Sequence, residues 1–157
     1  MEIERKFLLR HVPLRARLGA GVGIAQGYLP LGLRLRHKGS RYYLTLKGEG
    51  TLAREEWETE MPEWAFVLLW PGTAGCRLEK TRYEVPHGPL TLEVDEYHGP
   101  LTGLWTLECE FATVEDAAAF TLPGWAADAR DVTDDLAYRN ASLAAHGLPE
   151  GAVAEEP

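Results

Sequence analysis

Charged side chains recur at every second position in several short segments of this chain, and their spacing is its first feature with chemical meaning. Carboxylates stand in E-x-E or E-x-D pairs, and basic residues stand in R-x-R or K-x-R pairs. Because side chains along a β-strand point alternately to opposite faces, both members of a pair share one face. The carboxylates are Glu2, Glu4, Glu56, Glu58, Glu93, Asp95, Glu108 and Glu110, and the cations are Lys6, Arg34, Arg36, Lys47, Lys80 and Arg82.

This mixture of basic and acidic side chains suits an anionic ligand that binds together with a metal ion. Arginine and lysine hold anionic oxygens by charge-assisted hydrogen bonds, whereas carboxylates bind hard divalent cations through oxygen. A solvated exterior is the alternative interpretation of so many charges. Two features favour an enclosed face: the charge signs are sorted strand by strand, and the intervening positions are apolar, as at Ile3, Leu92 and Leu107. The pattern therefore predicts a polyanion held by cations and a divalent metal held by carboxylates.

The elements that must position these residues are mostly strands. Period-two alternation and turn residues predict strands at about 2–9, 24–29, 32–38, 41–48, 54–61, 76–85, 89–97 and 105–112. Helices are predicted at 62–70, 113–120 and 133–146, the last two capped by Thr113 and Thr133. We expect a mainly β (α+β) fold, an eight-stranded antiparallel closed barrel with a charged tunnel lumen and helices packed outside.

Length and composition limit the classes of binding partner that this chain can have. The chain has 157 residues, enough for one domain, with a net charge of −8. This acidity argues against nucleic acid or an anionic membrane as partner. No apolar run is long enough to span a membrane. Cys76 and Cys109 lack the spacing of a metal site, so we expect free thiols, which fit a cytoplasmic protein. We expect a domain at 1–147, a flexible tail at 148–157, and a monomer or homodimer.

The signatures occur in an order that resembles a known family. Glu2-Ile3-Glu4-Arg5-Lys6 is an E-x-E-x-K motif, and the later charged pairs follow in register to the C-terminal region. Together they resemble the triphosphate tunnel metalloenzymes, the CYTH superfamily, and in layout the short bacterial inorganic tripolyphosphatases. The resemblance covers nearly the whole chain.

Residue roles follow from this resemblance and from the charges. It implies that triphosphate is bound by Lys6, Arg34, Arg36, Lys47, Lys80, Arg82 and Arg139. It implies Mg²⁺ or Mn²⁺, two ions per site, held by Glu2, Glu4, Asp95, Glu108 and Glu110. These five carboxylates, with Lys6 and Glu58, form the expected catalytic set, and Tyr28 is expected to close one tunnel mouth. Glu56, Glu58 and Glu93 could instead orient basic residues.

The expected activity is divalent-metal-dependent hydrolysis of inorganic tripolyphosphate to pyrophosphate and phosphate. Thiamine or nucleoside triphosphate hydrolysis is an alternative, as is a non-catalytic polyphosphate-binding module. Adenylate cyclisation of the class IV type ranks lower, because only Met1 precedes Glu2 and the His-Phe pair of those cyclases is absent.

Overall fold

A computed structural model describes all residues, 1–157. The strands are β1 (Glu2–Leu8), β2 (Gly21–Tyr28), β3 (Leu33–Lys38), β4 (Arg41–Lys47), β5 (Ala53–Arg54), β6 (Glu56–Met61), β7 (Arg77–His87), β8 (Leu90–Tyr97), β9 (Trp105–Glu110) and β10 (Arg130–Asp131). The α-helices are α1 (Arg15–Leu18), α2 (Glu63–Leu69), α3 (Val114–Ala119) and α4 (Asn140–His146).

The strands form one antiparallel sheet that curls into a nearly closed barrel. Their order is β10-β1-β9-β8-β7-β2-β3-β4-β6. Only Glu55 separates β5 from β6, so the two act as one bent strand that pairs with β4 through β6 and with β1 through β5. This confirms the predicted barrel. The sheet path has nine strands rather than eight, and the unpredicted addition is β10, which pairs with β1.

The core lies outside the barrel, between the sheet and the segments that cover it. Phe7 of β1, Leu92 of β8 and Leu107 of β9 are buried together with Ala117 of α3. The residues alternating with them carry the charges and point inward. The predicted inversion, with apolar side chains outside and charged ones within, is therefore confirmed.

Helix α2 and helix α3 lie where they were predicted, and the Thr113 hydroxyl accepts a hydrogen bond from the backbone N–H of Asp116 at 3.0 Å. The predicted helix at 133–146 is wrong in its first half. The Thr133 hydroxyl accepts from the backbone N–H of Lys6 at 3.1 Å instead of capping a helix. Arg139 is extended (ψ 140°), so helix α4 begins only at Asn140. None of the helices has the length and apolar character needed to cross a membrane.

The C-terminal segment differs from the expected flexible tail. Ala152 and Ala154 are buried, and the backbone N–H of Ala154 donates to the carbonyl of Gly103 at 2.9 Å. Glu155 donates in the same way to Arg10 at 2.8 Å. The small side chains of Ala152 and Ala154 pack against the protein, although the composition of residues 148–157 predicted a flexible tail.

Candidate active site

The barrel encloses a cavity of about 210 Å³, room for roughly seven water molecules. Among its 21 lining residues only Val132 and Tyr138 are hydrophobic. The predicted site residues that line it are Glu2, Glu4, Lys6, Arg34, Arg36, Lys47, Glu58, Arg82, Glu108, Glu110 and Arg139. The structure therefore brings most of the predicted site into one space.

The strand register decides which charges face each other. Lys6 lies opposite Glu108, and Lys47 lies opposite Glu56. Such opposite pairs stabilise a sheet, whereas like charges directly opposite destabilise it. Glu108 also faces Glu93 across β8 and β9, and a second acidic pair joins β1 and β9. Carboxylates thus accumulate on one wall of the cavity.

The opposite wall, on β3 and β4, is basic, and neutral residues orient its arginines. The Arg34 guanidinium lies 3.2 Å from the Thr45 hydroxyl and 3.4 Å from a Glu58 oxygen. Arg36 donates from Nε to the buried Gln26 amide oxygen at 3.0 Å. Burial lowers the pKa of Arg36 to about 10, and neighbouring guanidinium groups add to the effect. Both arginines are thus fixed before any anion arrives.

Beneath the cavity lies a buried ion cluster of Lys80, Arg82 and Asp95. Lys80 Nζ contacts one Asp95 oxygen at 2.7 Å, and Arg82 donates to both oxygens at 2.8 Å. Burial lowers the pKa of Lys80 to about 7 although Asp95 opposes it. The side chains of Lys80 and Asp95 have no exposed surface. They position Arg82 in this structure and do not line the cavity.

The acidic wall centres on Glu4 and Glu108, whose side chains share a hydrogen bond. Burial, reinforced by the charge of Glu108, raises the pKa of Glu4 well above its usual value. Burial acts the same way on Glu108, but the charges of Lys6, Arg82 and Lys80 outweigh it and hold the Glu108 pKa well below its usual value. The opposite directions of the two pKa shifts mean that a proton shared by this pair is held by Glu4 rather than by Glu108.

A second pair of carboxylates lies at the seam where β5 meets β1. Lys47 Nζ contacts Glu2 at 2.7 Å and Glu56 at 3.7 Å. The hydrogen bond that the Glu56 carboxyl donates to Glu2, together with burial, raises the pKa of Glu56 to about 7. Glu93 likewise contacts Arg82 at 2.6 Å. Glu56, Glu58 and Glu93 thus each contact a basic residue, as the orienting alternative supposed.

The side chains of the acidic wall are chemically suited to bind a divalent cation. The groups that this wall offers as ligands are carboxylate oxygens, which hard ions such as Mg²⁺ and Mn²⁺ prefer. Glu108 Oε1 is buried without a hydrogen-bond partner, and the acidic pair of Glu4 and Glu110 lacks an intervening cation in the register. No three acidic, imidazole or thiol groups already converge as a ligand cluster, so side chains would have to rotate toward an ion.

Some residues that line the cavity were not predicted from the sequence, and one predicted residue, Tyr28, lies outside the cavity. Arg54 and Lys38 line the cavity. Lys38 continues the basic alternation of Arg34 and Arg36, so the sequence carried a signal for it, whereas Arg54 has no residue of like charge two positions away. Arg54 enters because the bend at Glu55 sets it opposite Glu2, a register that no local signal reveals. Tyr28 lies at a neighbouring recess, and its hydroxyl accepts a hydrogen bond from Gln26 at 3.0 Å.

A barrel with sorted cations and carboxylates along its interior defines a protein that binds a polyanion inside a tunnel. The CYTH domain family matches residues 1–147, and the chain belongs to this family. Membership of this family of triphosphatases implies dependence on a divalent metal.

Known relatives agree in length as well as in sequence. The chain is 43% identical over 150 residues to an inorganic triphosphatase of Nitrosomonas europaea, covering 91% of this chain and 96% of that protein. It is 34% identical to an inorganic triphosphatase of Acetivibrio thermocellus, covering 90% and 92%. A solved structure of the inorganic triphosphatase NE1496 is 38% identical, with a TM-score of 0.67 and coverage of 92% and 95%.

Proposed function

We propose that this chain hydrolyses inorganic tripolyphosphate to pyrophosphate and phosphate. The observation that carries the proposal is the cavity itself, whose lining is mostly charged, with a basic wall on β3 and β4 and an acidic wall on β1 and β9. A linear triphosphate supplies oxyanions for the first wall, and a divalent ion satisfies the second. The relatives are named inorganic triphosphatases, so the substrate is a small polyphosphate.

The basic wall binds and aligns the substrate. Arg34 and Arg36 present planar guanidinium groups, which suit bidentate contacts with phosphate oxygens, while Lys47 acts as a point charge. Lys6 adds a second point charge from β1, on the acidic side. Arg82 completes the set from below. Because buried neighbours already fix the arginines, little side-chain entropy is lost when the anion binds.

In hydrolysis a water oxygen forms the new P–O bond as one phosphoanhydride P–O bond breaks. The proton of the water passes to a lumen carboxylate, and the cations neutralise the departing phosphate oxygen. Of the expected ligands, Glu2, Glu4, Glu108 and Glu110 line the cavity and would hold the metal. When bound, Mg²⁺ or Mn²⁺ supplies charge compensation and an acidified water, and two ions serve both purposes.

The remaining assignments belong to the same proposal. Asp95 acts through Arg82, Glu58 through Arg34, and Tyr28 closes one mouth. Two free thiols, Cys76 and Cys109, are consistent with a cytoplasmic enzyme. It acts as a monomer or homodimer without nucleic acid or membrane as partner.

A phosphate-release assay tests the activity. With Mg²⁺ or Mn²⁺ the purified protein should release phosphate from tripolyphosphate, with kcat/KM at least about tenfold above that for ATP or thiamine triphosphate. No subsite for an organic group is evident, so the organic group adds little binding energy. Excess EDTA should abolish turnover. A preference for thiamine triphosphate, or formation of cyclic AMP, would contradict the substrate assignment.

Two matched variants compare a carboxylate inside the cavity with a carboxylate on the protein surface. Glu108→Gln should lower kcat by about a hundredfold or more, because it removes an ionised lumen carboxylate. Glu79→Gln makes the same change at an exposed position of β7 and should leave kcat unchanged. Equal effects would place the chemistry elsewhere.

A further inference from the structure

Helix α2 presents apolar side chains to solvent as well as to the barrel. On its inner side Phe66 is buried, and its ring lies 4.9 Å from the ring of Tyr42 on β4. On its outer side Trp64, Val67 and Leu68 are 71%, 60% and 72% exposed. These three share one face, because residues three and four apart are neighbours on a helix. A surface helix normally has a polar outer face, and a helix that is apolar all round is normally buried.

The strands beneath α2 extend this apolar surface. Leu46 of β4 and Trp57 of β6 lie directly opposite each other and are 41% and 53% exposed. They alternate with Lys47 and Glu56, which line the cavity, so they point to the outer side of the barrel, as Tyr42 does. Helix α2 packs on that same side. We call this surface the α2 face, and its residues are Leu46, Trp57, Trp64, Val67, Leu68 and Leu69.

The α2 face is large enough for a stable contact between subunits. The exposed fractions of its six residues and the sizes of their side chains give an exposed area of roughly 650 Å². The largest apolar patch on a typical monomer covers about 300–600 Å². A standard interface buries about 800 Å² on each partner, and rather more than half of that area is apolar. The α2 face therefore supplies the apolar area that one subunit of a dimer needs.

The charge of the chain limits what can cover this face. The net charge of −8 disfavours the surface of an anionic membrane. Residues 64–76 contain no charged side chain, although 25% of the chain is charged. Two copies of this acidic protein can therefore approach through the α2 face without bringing like charges together. A two-fold axis brings the same patch of both subunits together, so an apolar patch meets an apolar patch.

We propose that the α2 face pairs with the same face of a second copy of the chain and forms a two-fold homodimer. Trp64 and Leu68 lie one helical turn apart, so an antiparallel pair of α2 helices sets Trp64 against the partner's Leu68. Tryptophan is a common anchor of protein interfaces. The cavity stays open, because the α2 face lies on the outer side of the barrel. This assembly does not depend on hydrolysis, and the mass in solution tests it independently of the proposed function.

Sedimentation velocity over about 1–100 μM protein would measure that mass. The wild type should sediment at twice the chain mass of 17.5 kDa. Leu68→Glu and Trp64→Glu each place a carboxylate in the middle of the contact and should raise the Kd of the dimer by about a hundredfold or more. Leu14→Glu is the matched control, because Leu14 is 60% exposed but lies beside Trp105 of β9. It should remain dimeric.

Thermal midpoints would verify that each variant is folded. A wild type that sediments as a monomer throughout this range would overturn the proposal and leave the face to a different protein. A dimer that both α2 variants retain, or that Leu14→Glu disrupts equally, would also overturn it. If the α2 variants did not fold, hydrogen exchange of the wild type would decide. The α2 amides should then exchange more slowly at high than at low protein concentration, and equal exchange would contradict the proposal.

Discussion

At the scale of single residues, the charged side chains proposed to contact substrate differ from the residues that position them. Gln26 and Thr45 are fully buried, and each orients an arginine of the basic wall. Asp95 does the same for Arg82 from below. The charged members were predictable from their alternation. The neutral ones were not, because a buried glutamine or threonine in a strand carries no distinguishing sequence signal.

Glu56 gives a testable pH dependence. Its pKa of about 7 in the folded protein exceeds the 4.5 of an unperturbed glutamate, so the folded state binds this proton more tightly than the unfolded state. The stabilisation is fully present below pH 4.5 and is lost as pH rises through 7. Because Glu56 is partly exposed, solvent screening reduces this contribution to the free energy of unfolding to about 1 kcal/mol.

Urea unfolding of metal-free protein at pH 5 and pH 8 would measure this effect. Glu56→Gln should lose less stability than the wild type over that interval. Glu60→Gln, an exposed change on the same strand, is the control and should follow the wild type. Identical slopes for all three proteins would show that Glu56 and Glu2 do not share a proton.

At the scale of elements, strand β2 depends on a close approach at Gly27. A Cβ at this position would lie 2.6 Å from the side chain of Thr73. Thr73 cannot retreat easily, because it is fully buried and its hydroxyl donates to the carbonyl of Trp70 at 2.7 Å and accepts from Arg77 at 2.8 Å. Gly27→Ala should therefore destabilise the protein by about 1–3 kcal/mol, measured by urea unfolding.

Gly23 of the same strand provides the comparison. A Cβ there meets no atom within 4 Å, so Gly23→Ala should change stability by no more than about 0.5 kcal/mol. If the two variants were equally stable, the turn at Thr73 would not pack against β2 as described.

Strands were more predictable than the C-terminal segments, for a physical reason. Alternation of charge and apolar character is repeated along each strand, and burial of the apolar face enforces it. The segment 133–146 carries helix-favouring residues, yet Thr133 is bound by the backbone of β1 and the chain is extended at Arg139. Tertiary hydrogen bonds of this kind override local propensity, and the packed Ala152 and Ala154 illustrate the same limit.

At the scale of the whole molecule, the barrel concentrates charge where an ordinary protein places its core. The candidate site was largely predictable, because the family's charged pairs all fall on inward-facing positions. The closure at β5, which brings Arg54 to Glu2, depends on pairing between distant segments. Arg34 and Glu108 each keep one buried polar atom without a hydrogen-bond partner. Such atoms lower the stability of the folded protein, and burial of the apolar core outside the barrel offsets this cost.

The last prediction follows from that cost. A ligand that binds only the folded state stabilises it by an amount that grows with the logarithm of its concentration over Kd, about 2.7 kcal/mol at a hundredfold excess. Tripolyphosphate with Mg²⁺ should therefore raise the unfolding free energy by that amount, and Mg²⁺ alone should raise it less. Arg36→Gln removes a guanidinium from the basic wall and should lose most of the increase. Arg10→Gln, at an exposed position, should keep it. An equal increase in both variants would mean that the anion binds outside the barrel.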